Sequence, residues 1–184
     1  MTHSSLALAF LLFIIQGAGS NAAIPKVGDP APDFTLAQID GKKLTLSTEL
    51  QSGPVVLIVG RGWIGYQCPF CQRQFGDFLR NAKDLEAAGA RVIWVYPGPA
   101  DQVQKRAGEF TADKPFPPNF RFVLDPGYAF TVPYGLRWDA PQETAYPATF
   151  IIDRRGIVRY AFVSRSHDGR SKAADVLAEL ARIK

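Results

Sequence analysis

The only two cysteines of the chain, Cys68 and Cys71, stand at the junction between an apolar stretch and a helical pattern. The stretch before them, 54–60, is rich in β-branched residues and predicts a strand buried on both faces. From Pro69 onward, aromatic and leucine residues recur at spacings that share one face of a helix. The chain must therefore fold so that a central strand delivers two thiols to a helix N-terminus.

A thiol in that position ionises more easily than a free thiol, because first-turn N–H groups and the helix dipole favour negative charge. Such sites lower a cysteine pKa from about 8.5 to about 3.5–7.5. We expect Cys68 to be the low-pKa thiol with an exposed sulfur, and Cys71 to face inward one turn later. Because the thiolate is the nucleophilic and oxidisable form of cysteine, the motif predicts redox chemistry.

Two other interpretations of the cysteine pair are weaker. A disulfide that closes so short a loop would add little stability. A metal site needs about four ligands, and only His3 and His167 are available to supplement the two thiolates. We expect neither a metal nor another cofactor.

The N-terminus has the layout of a secretory signal peptide. An apolar run from Leu6 to Ile15 is too short for a membrane span, which needs about 20 residues, and small residues follow at 17–23. The absence of Lys and Arg before the run leaves open a buried or membrane-anchored N-terminal helix. We predict a signal peptide over residues 1–22, one domain over residues 23–184, and export to the periplasm or the extracellular space.

Charge and cysteine usage agree with an exported enzyme better than with a nucleic-acid-binding protein. The formal net charge is +4, and Lys and Arg are scattered among Asp and Glu. This distribution is typical of a solvated surface, so we expect no nucleic-acid partner. Two cysteines without an odd third suit an oxidising compartment.

Strand and helix patterns alternate along the rest of the chain. Asp40-Gly41 between two short apolar runs predicts an N-terminal β-hairpin. The whole pattern predicts an α/β fold with a central mixed sheet and helices on both faces. The predicted strands are 34–36, 43–46, 54–60, 91–96, 120–124, 149–153 and 157–163, and the predicted helices are 69–88, 99–114 and 172–183.

This order, with the Cys-x-x-Cys motif at the start of the first long helix, is that of the thioredoxin fold. The segment 27–36 with Asp40-Gly41-Lys42 resembles the opening of the AhpC/TSA and redoxin group, and 146–156 resembles its late strand and turn. That group includes peroxiredoxins and TlpA-like thiol oxidoreductases. The resemblance covers most of the chain after residue 26.

The resemblance implies roles for individual residues. Cys68 matches the attacking cysteine and Cys71 the resolving cysteine. Pro147 matches the cis-proline that faces the active site in thioredoxin-fold proteins. Such a bond would expose a backbone edge to an extended substrate.

Several expected residues are replaced in this chain. In the peroxiredoxin P-x-x-x-T-x-x-C loop, Arg61 stands at the proline position and Gly65 at the threonine position. Pro147 stands where peroxiredoxins have an arginine. We expect Arg61 to supply a cation near Cys68, with a solvated loop arginine as the alternative role and with Arg165 and Arg170 as weaker candidates.

The thioredoxin features are also incomplete. The strand before the motif carries no buried carboxylate, and Gln67 takes the place of the usual tryptophan. Trp63 lies nearby, and we include it among the substrate-binding residues, with packing beneath the loop as the alternative.

The sequence therefore predicts a thiol-dependent antioxidant oxidoreductase that reduces peroxides and is regenerated by an external thiol electron donor. A TlpA-like exchange with protein disulfides through the same two cysteines is the main alternative. A redox-inert binding module is a further one. The sequence leaves the oligomeric state open.

Overall fold

The structure, a computed structural model, describes residues 22–183. The predicted signal peptide therefore lies outside the described residues, apart from Ala22. None of the helices in the described part is long and apolar enough to cross a membrane. The strands are β1 (Thr35–Ala37), β2 (Lys43–Thr45), β3 (Val55–Val59), β4 (Arg91–Gly98), β5 (Phe120–Pro126), β6 (Ala148–Ile152) and β7 (Val158–Val163), and the helices are α1 (Leu46–Leu50), α2 (Pro69–Arg80), α3 (Ala82–Ala87), α4 (Val103–Thr111) and α5 (Ala173–Arg182).

Five strands form a mixed sheet in the order β5-β4-β3-β6-β7. β3 pairs in parallel with β4 and β4 with β5, whereas β3–β6 and β6–β7 are antiparallel. β1 and β2 form a separate antiparallel hairpin. The predicted thioredoxin-like fold with its N-terminal hairpin is confirmed.

The sheet separates two hydrophobic cores, because successive side chains of a strand point to opposite faces. On β3, Val56 and Ile58 lie in the core beneath α2, α3, α4 and α5. The other three β3 residues lie in the core beneath α1 and the segment 130–136. Helices thus cover both faces, but the four longer ones share the face on which the cysteines lie.

The predicted helix over 69–88 is interrupted at Asn81, which has φ −96° and ψ 13°. Its side-chain Nδ2 donates to the Asp77 carbonyl oxygen at 2.8 Å, a local bond that competes with regular helical geometry. α1 was not predicted, because a five-residue helix directly after a strand leaves no periodic pattern. α4 begins at Val103 because Gln102 and Val103 both donate to the Pro99 carbonyl oxygen in a turn.

Phe75 of α2 lies at the centre of the aromatic core that holds α2 against the sheet. Its side chain is fully buried, and its ring lies 5.0 Å from Trp94, 5.4 Å from Phe110 and 5.8 Å from Phe122, measured between centroids. These contacts fix the position of α2 and with it the cysteines at its start.

Phe75→Ala should lower the free energy of unfolding by about 3–5 kcal/mol, because it leaves a cavity in this cluster. Urea denaturation measures the loss. Phe116→Ala is the matched control: Phe116 belongs to the same cluster but is 40% exposed, so its loss should be clearly smaller. Equal losses would contradict the central role assigned to Phe75.

Candidate active site

The loop between β3 and α2 is held tightly against β4. Gly62 has φ +65°, and a Cβ at this position would overlap the Pro97 carbonyl oxygen, so the loop requires glycine here. The Trp63 N–H donates to the same carbonyl oxygen at 3.0 Å. This close approach sets the path of the chain into Cys68.

Cys68 is the N-cap residue of α2, and Pro69 occupies the first helical position, where its missing N–H has no helical partner to lose. Cys71 follows within the first turn. Both cysteines are unbridged, as expected for the reduced form of a redox pair.

The prediction that the Cys68 sulfur is exposed was wrong. Cys68 is only 1% exposed and Cys71 only 2%. Cys68 lies in the hydrophobic core with Ile64 of its own loop, and a guanidinium nitrogen of Arg170 lies 3.9 Å from its sulfur. The loop and the arginine cover the thiol from opposite parts of the chain.

Arg170 is the cationic side chain that contacts both sulfurs. Its Nη2 lies 3.9 Å from Cys68 Sγ and 3.6 Å from Cys71 Sγ. Arg61, expected from the sequence to supply this cation, contacts the pair through its backbone, whose N–H donates to Cys71 Sγ at 3.3 Å. A cation at this site thus comes chiefly from the loop before α5.

The two thiols have opposite acid–base behaviour. A hydrogen bond from the Cys71 thiol, together with the charges of Arg170 and Arg61, lowers the pKa of Cys68 to about 5, although burial acts in the opposite direction. The same hydrogen bond and full burial raise the pKa of Cys71 well above its usual value. At neutral pH the pair therefore holds one negative charge, on Cys68.

The Arg61 side chain forms a buried ion pair with Glu143. Its Nη2 lies 2.6 Å from Glu143 Oε2, with side-chain exposures of 2% and 9%. The other carboxylate oxygen of Glu143 lies 2.7 Å from His167 Nε2 at the surface, and the Thr144 hydroxyl donates to the Arg61 carbonyl oxygen. This network ties the loop before α2 to the segment before β6.

Trp63 and Gln67 tie the same loop to α4 and β4. Trp63 Nε1 donates to Gln102 at 2.9 Å, and the Arg106 guanidinium lies 4.1 Å from the Trp63 ring centroid. Gln67 accepts from the Tyr96 hydroxyl at 2.8 Å. The contacts of Trp63 thus favour the packing alternative over substrate contact.

Pro147 is buried directly before β6, and its neighbour Ala148 pairs with Val59 at the end of β3 that leads to the cysteine loop. The prediction of a cis bond was wrong, since the described residues contain no cis peptide bond. The Pro147 carbonyl oxygen is already occupied, because it accepts from the Ser164 N–H at 2.8 Å. A substrate-binding edge at Pro147 therefore has no support here.

Two polar groups at the site were missed from the sequence. Glu143 stands in a loop without any motif, and Gln74 is one of several polar residues along α2. The one sequence signal for Gln74 is its three-residue spacing from Cys71, which puts both side chains on the same face of α2. No sequence pattern pairs Glu143 with Arg61.

Removing the carboxylate partner of Arg61 should be costly. Glu143→Gln should lower the free energy of unfolding by about 3–5 kcal/mol, because it leaves a buried guanidinium uncompensated. Glu179→Gln breaks the exposed pair with Arg182 and should cost at most about 1 kcal/mol. Urea denaturation of both variants measures the difference, and similar losses would contradict the importance of the buried pair.

The thiolate absorbance of the reduced protein should titrate with a midpoint near pH 5, through Cys68. Thiolate is lost as the pH falls through this value. Cys71→Ala should raise the midpoint because it removes the main hydrogen-bond donor, and Arg170→Gln should raise it because it removes a nearby charge. Cys71→Ser keeps a hydrogen-bond donor and should change the midpoint less. An unchanged midpoint in Cys71→Ala would show that the Cys71 hydrogen bond does not lower the pKa of Cys68.

Comparisons with known proteins agree with this geometry. The model of the Redoxin family matches residues 26–177. The thiol:disulfide interchange protein DsbE of Allochromatium vinosum is 29% identical over 162 residues, which cover 84% of this chain and 77% of that protein. The chloroplastic peroxiredoxin Q of Triticum aestivum is 26% identical over 81% of this chain and 61% of its own length.

The solved structure of the peroxidoxin BcpB from Mycobacterium tuberculosis shares the fold. It superimposes with a TM-score of 0.69 at 24% identity, covering 87% of this chain and 99% of that one. Since the family match extends over most of the chain and the fold agrees, the protein belongs to the Redoxin family of thioredoxin-fold proteins.

Proposed function

We propose that the protein is a thiol-dependent oxidoreductase that reduces peroxides, with Cys68 as the attacking cysteine and Cys71 as the resolving one. The observation that carries this proposal is the buried, low-pKa thiol of Cys68 held between the Cys71 thiol and the Arg170 guanidinium. A peroxide is small enough to reach such a sulfur through a minor movement of the loop, whereas a protein disulfide requires a larger opening.

The reaction begins when the Cys68 thiolate attacks one peroxide oxygen. The O–O bond breaks, the leaving oxygen takes up a proton as water or an alcohol, and Cys68 becomes a sulfenic acid. The Cys71 sulfur, after losing its proton, attacks the Cys68 sulfur and expels water to form the disulfide. The external thiol donor then returns two electrons and restores the dithiol.

We propose that Arg170 replaces the arginine and threonine that this chain lacks in their usual positions. Its guanidinium lies 3.9 Å from Cys68 Sγ, close enough to stabilise the thiolate and the negative charge that develops on the leaving oxygen. Arg61 contributes through its charge and its backbone N–H, and Glu143 holds it in place. We therefore assign Arg170 the direct role and Arg61 a positioning role.

Exchange with protein disulfides is the second candidate function. The similarity to a thiol:disulfide interchange protein favours it, as does the glycine at position 65, which offers no hydroxyl to hold a peroxide. In this case Cys68 attacks a substrate sulfur and Cys71 resolves the mixed disulfide, so the same two cysteines act in the same order.

We further propose that the protein acts outside the cytoplasm, after removal of residues 1–22, as the single domain 23–184. The small-residue segment before residue 24 and the paired cysteines support this placement. The N-terminal sequence of the protein recovered from a secreting host tests it, and an intact N-terminus on the recovered protein would refute it.

In Cys71→Ser, stoichiometric hydrogen peroxide should convert Cys68 to a sulfenic acid that a dimedone-type probe traps. The wild type should instead form the Cys68–Cys71 disulfide, because the neighbouring thiol intercepts the sulfenic acid. Mass spectrometry of the trapped adduct distinguishes the two products. Cys68→Ser should give neither.

Rates separate the two candidate functions. As a peroxidase, the protein should consume hydrogen peroxide much faster than a free thiol of matched pKa, and Arg170→Gln should slow this step. If Cys68 reacts with peroxide no faster than the free thiol but exchanges rapidly with a protein disulfide, the peroxidase proposal is wrong and disulfide exchange replaces it.

A further inference from the structure

A groove of about 580 Å³ lies beside the dithiol between α2 and the segment that leads into α5. Phe70, from within the Cys-x-x-Cys motif, lines this α2–α5 groove, and Arg170, which contacts both sulfurs, lines it too. The groove therefore lies next to the reactive cysteines, with Arg170 as the residue shared by both. Its volume is in the range of sites that hold small organic ligands.

Two polar atoms at this groove have no partner within residues 22–183. Gln74 is 6% exposed, and its Oε1 accepts no hydrogen bond, although its Nε2 donates to Ser171 Oγ at 3.2 Å. Arg170 Nε is likewise buried without an acceptor. An unpaired buried polar atom costs about 1–3 kcal/mol, so a ligand that uncovers these two atoms and pairs with them gains one acceptor and one donor.

The groove is also electropositive. Four cationic residues and two acidic ones line it: Arg73, Arg80, Arg170, Lys172, Asp77 and Asp168. Asp77 pairs with Arg80, whose Nη2 lies 3.6 Å from Asp77 Oδ1, and Asp168 accepts from the Ser166 hydroxyl at 2.8 Å, so the lining keeps a net positive charge. Arg73 and Lys172 form no ion pair in the described part of the chain. The positive charge is thus available to an anion.

On the basis of the proposed function, we infer that the α2–α5 groove binds the external electron donor, and that this donor is a peptide-sized thiol with a carboxylate. The carboxylate pairs with Arg73, Lys172 and Arg170, and an amide N–H of the donor supplies the partner that Gln74 Oε1 lacks. Neither a neutral thiol nor a cationic one matches this set of groups.

Arg170 links donor binding to the redox state of the cysteines. In the reduced protein its guanidinium compensates the Cys68 thiolate. In the Cys68–Cys71 disulfide neither sulfur is charged, so Arg170 becomes available to the donor's carboxylate. When reduction regenerates the thiolate, the thiolate competes for Arg170 and favours release of the oxidised donor.

The reduction itself uses two donor molecules. Once the loop before α2 has moved aside from Cys68, the first donor thiolate attacks Cys68 Sγ and breaks the Cys68–Cys71 bond, and the Cys71 sulfur keeps the electron pair and takes up a proton. The second donor thiolate attacks the donor sulfur of the mixed disulfide, releasing the Cys68 thiolate and the donor disulfide. Two electrons pass from the two thiols to the protein disulfide.

Glutathione and its glycine ethyl ester provide a matched pair of probes, because they carry the same thiol and differ by one carboxylate. Stopped-flow fluorescence at low ionic strength follows the reduction of the peroxide-oxidised protein by each probe. The wild type should react about fivefold faster with glutathione than with the ester, the order expected for one charge pair at a partly exposed site. Arg73→Gln and Lys172→Gln should each reduce that ratio.

Lys43→Gln is the control, since it removes the same charge from the exposed N-terminal hairpin and should leave the ratio unchanged. Dithiothreitol, which is neutral, should reduce every variant at the wild-type rate. If dithiothreitol works but the glutathione-to-ester ratio is the same in the wild type and both groove variants, the groove inference is wrong and the proposed function stands. If peroxide never forms the disulfide, the peroxidase proposal itself fails.

Discussion

The structure around the cysteines depends on compensating one negative charge that is almost completely removed from water. A buried ion without partners is very costly, so Cys68 can remain a thiolate only with neighbours that donate hydrogen bonds or carry positive charge. The Cys71 thiol, the Arg170 guanidinium and the start of α2 supply these. Cys71 and the start of α2 are neighbours of Cys68 in the sequence, but Arg170 comes from the loop before α5, so the complete site exists only in the folded protein.

The loop from β3 to α2 positions Cys68 and Cys71 relative to the rest of the site. It is anchored on β4 through Gly62, on α4 through Trp63 and on the segment before β6 through Arg61 and Glu143. The buried Arg61–Glu143 pair is weak as a source of net stability but specific in geometry. By fixing Arg61, the pair helps to hold the Arg61 backbone N–H on the Cys71 sulfur.

Burial of Cys68 and the electropositive groove beside it suit a reaction with two different partners. A small oxidant needs only a narrow path to the thiolate, whereas the reductant needs a surface that recognises it. The α2–α5 groove offers that surface, and Arg170 belongs to both sites. A single arginine can therefore favour the thiolate in one half of the cycle and the anionic donor in the other.

Much of the architecture was predictable from the sequence. The apolar strand, the Cys-x-x-Cys motif at the start of α2, the hairpin around Asp40-Gly41 and the order of strands and helices all follow from local periodicity and turn chemistry, which each short segment carries by itself. The same local reasoning identified the two cysteines and the easier ionisation of Cys68. The break between α2 and α3 was missed, because it depends on one side chain: Asn81 bonds to the Asp77 carbonyl oxygen and interrupts the helical geometry.

The partners of the cysteines were decided by the tertiary structure. Cys68 and Arg170 are far apart in the chain, as are Arg61 and Glu143, and no periodic pattern links loops that meet only when β3 pairs with β6. The exposure of Cys68 and the geometry at Pro147 were predicted wrongly for the same reason, since both depend on which loops close over the end of the sheet. Sequence alone was enough to predict the two sulfurs as the reactive atoms, because thiol chemistry and helix position are local. The folded chain decided what surrounds those atoms, because the burial of a sulfur and the compensation of its charge depend on residues that only folding brings together.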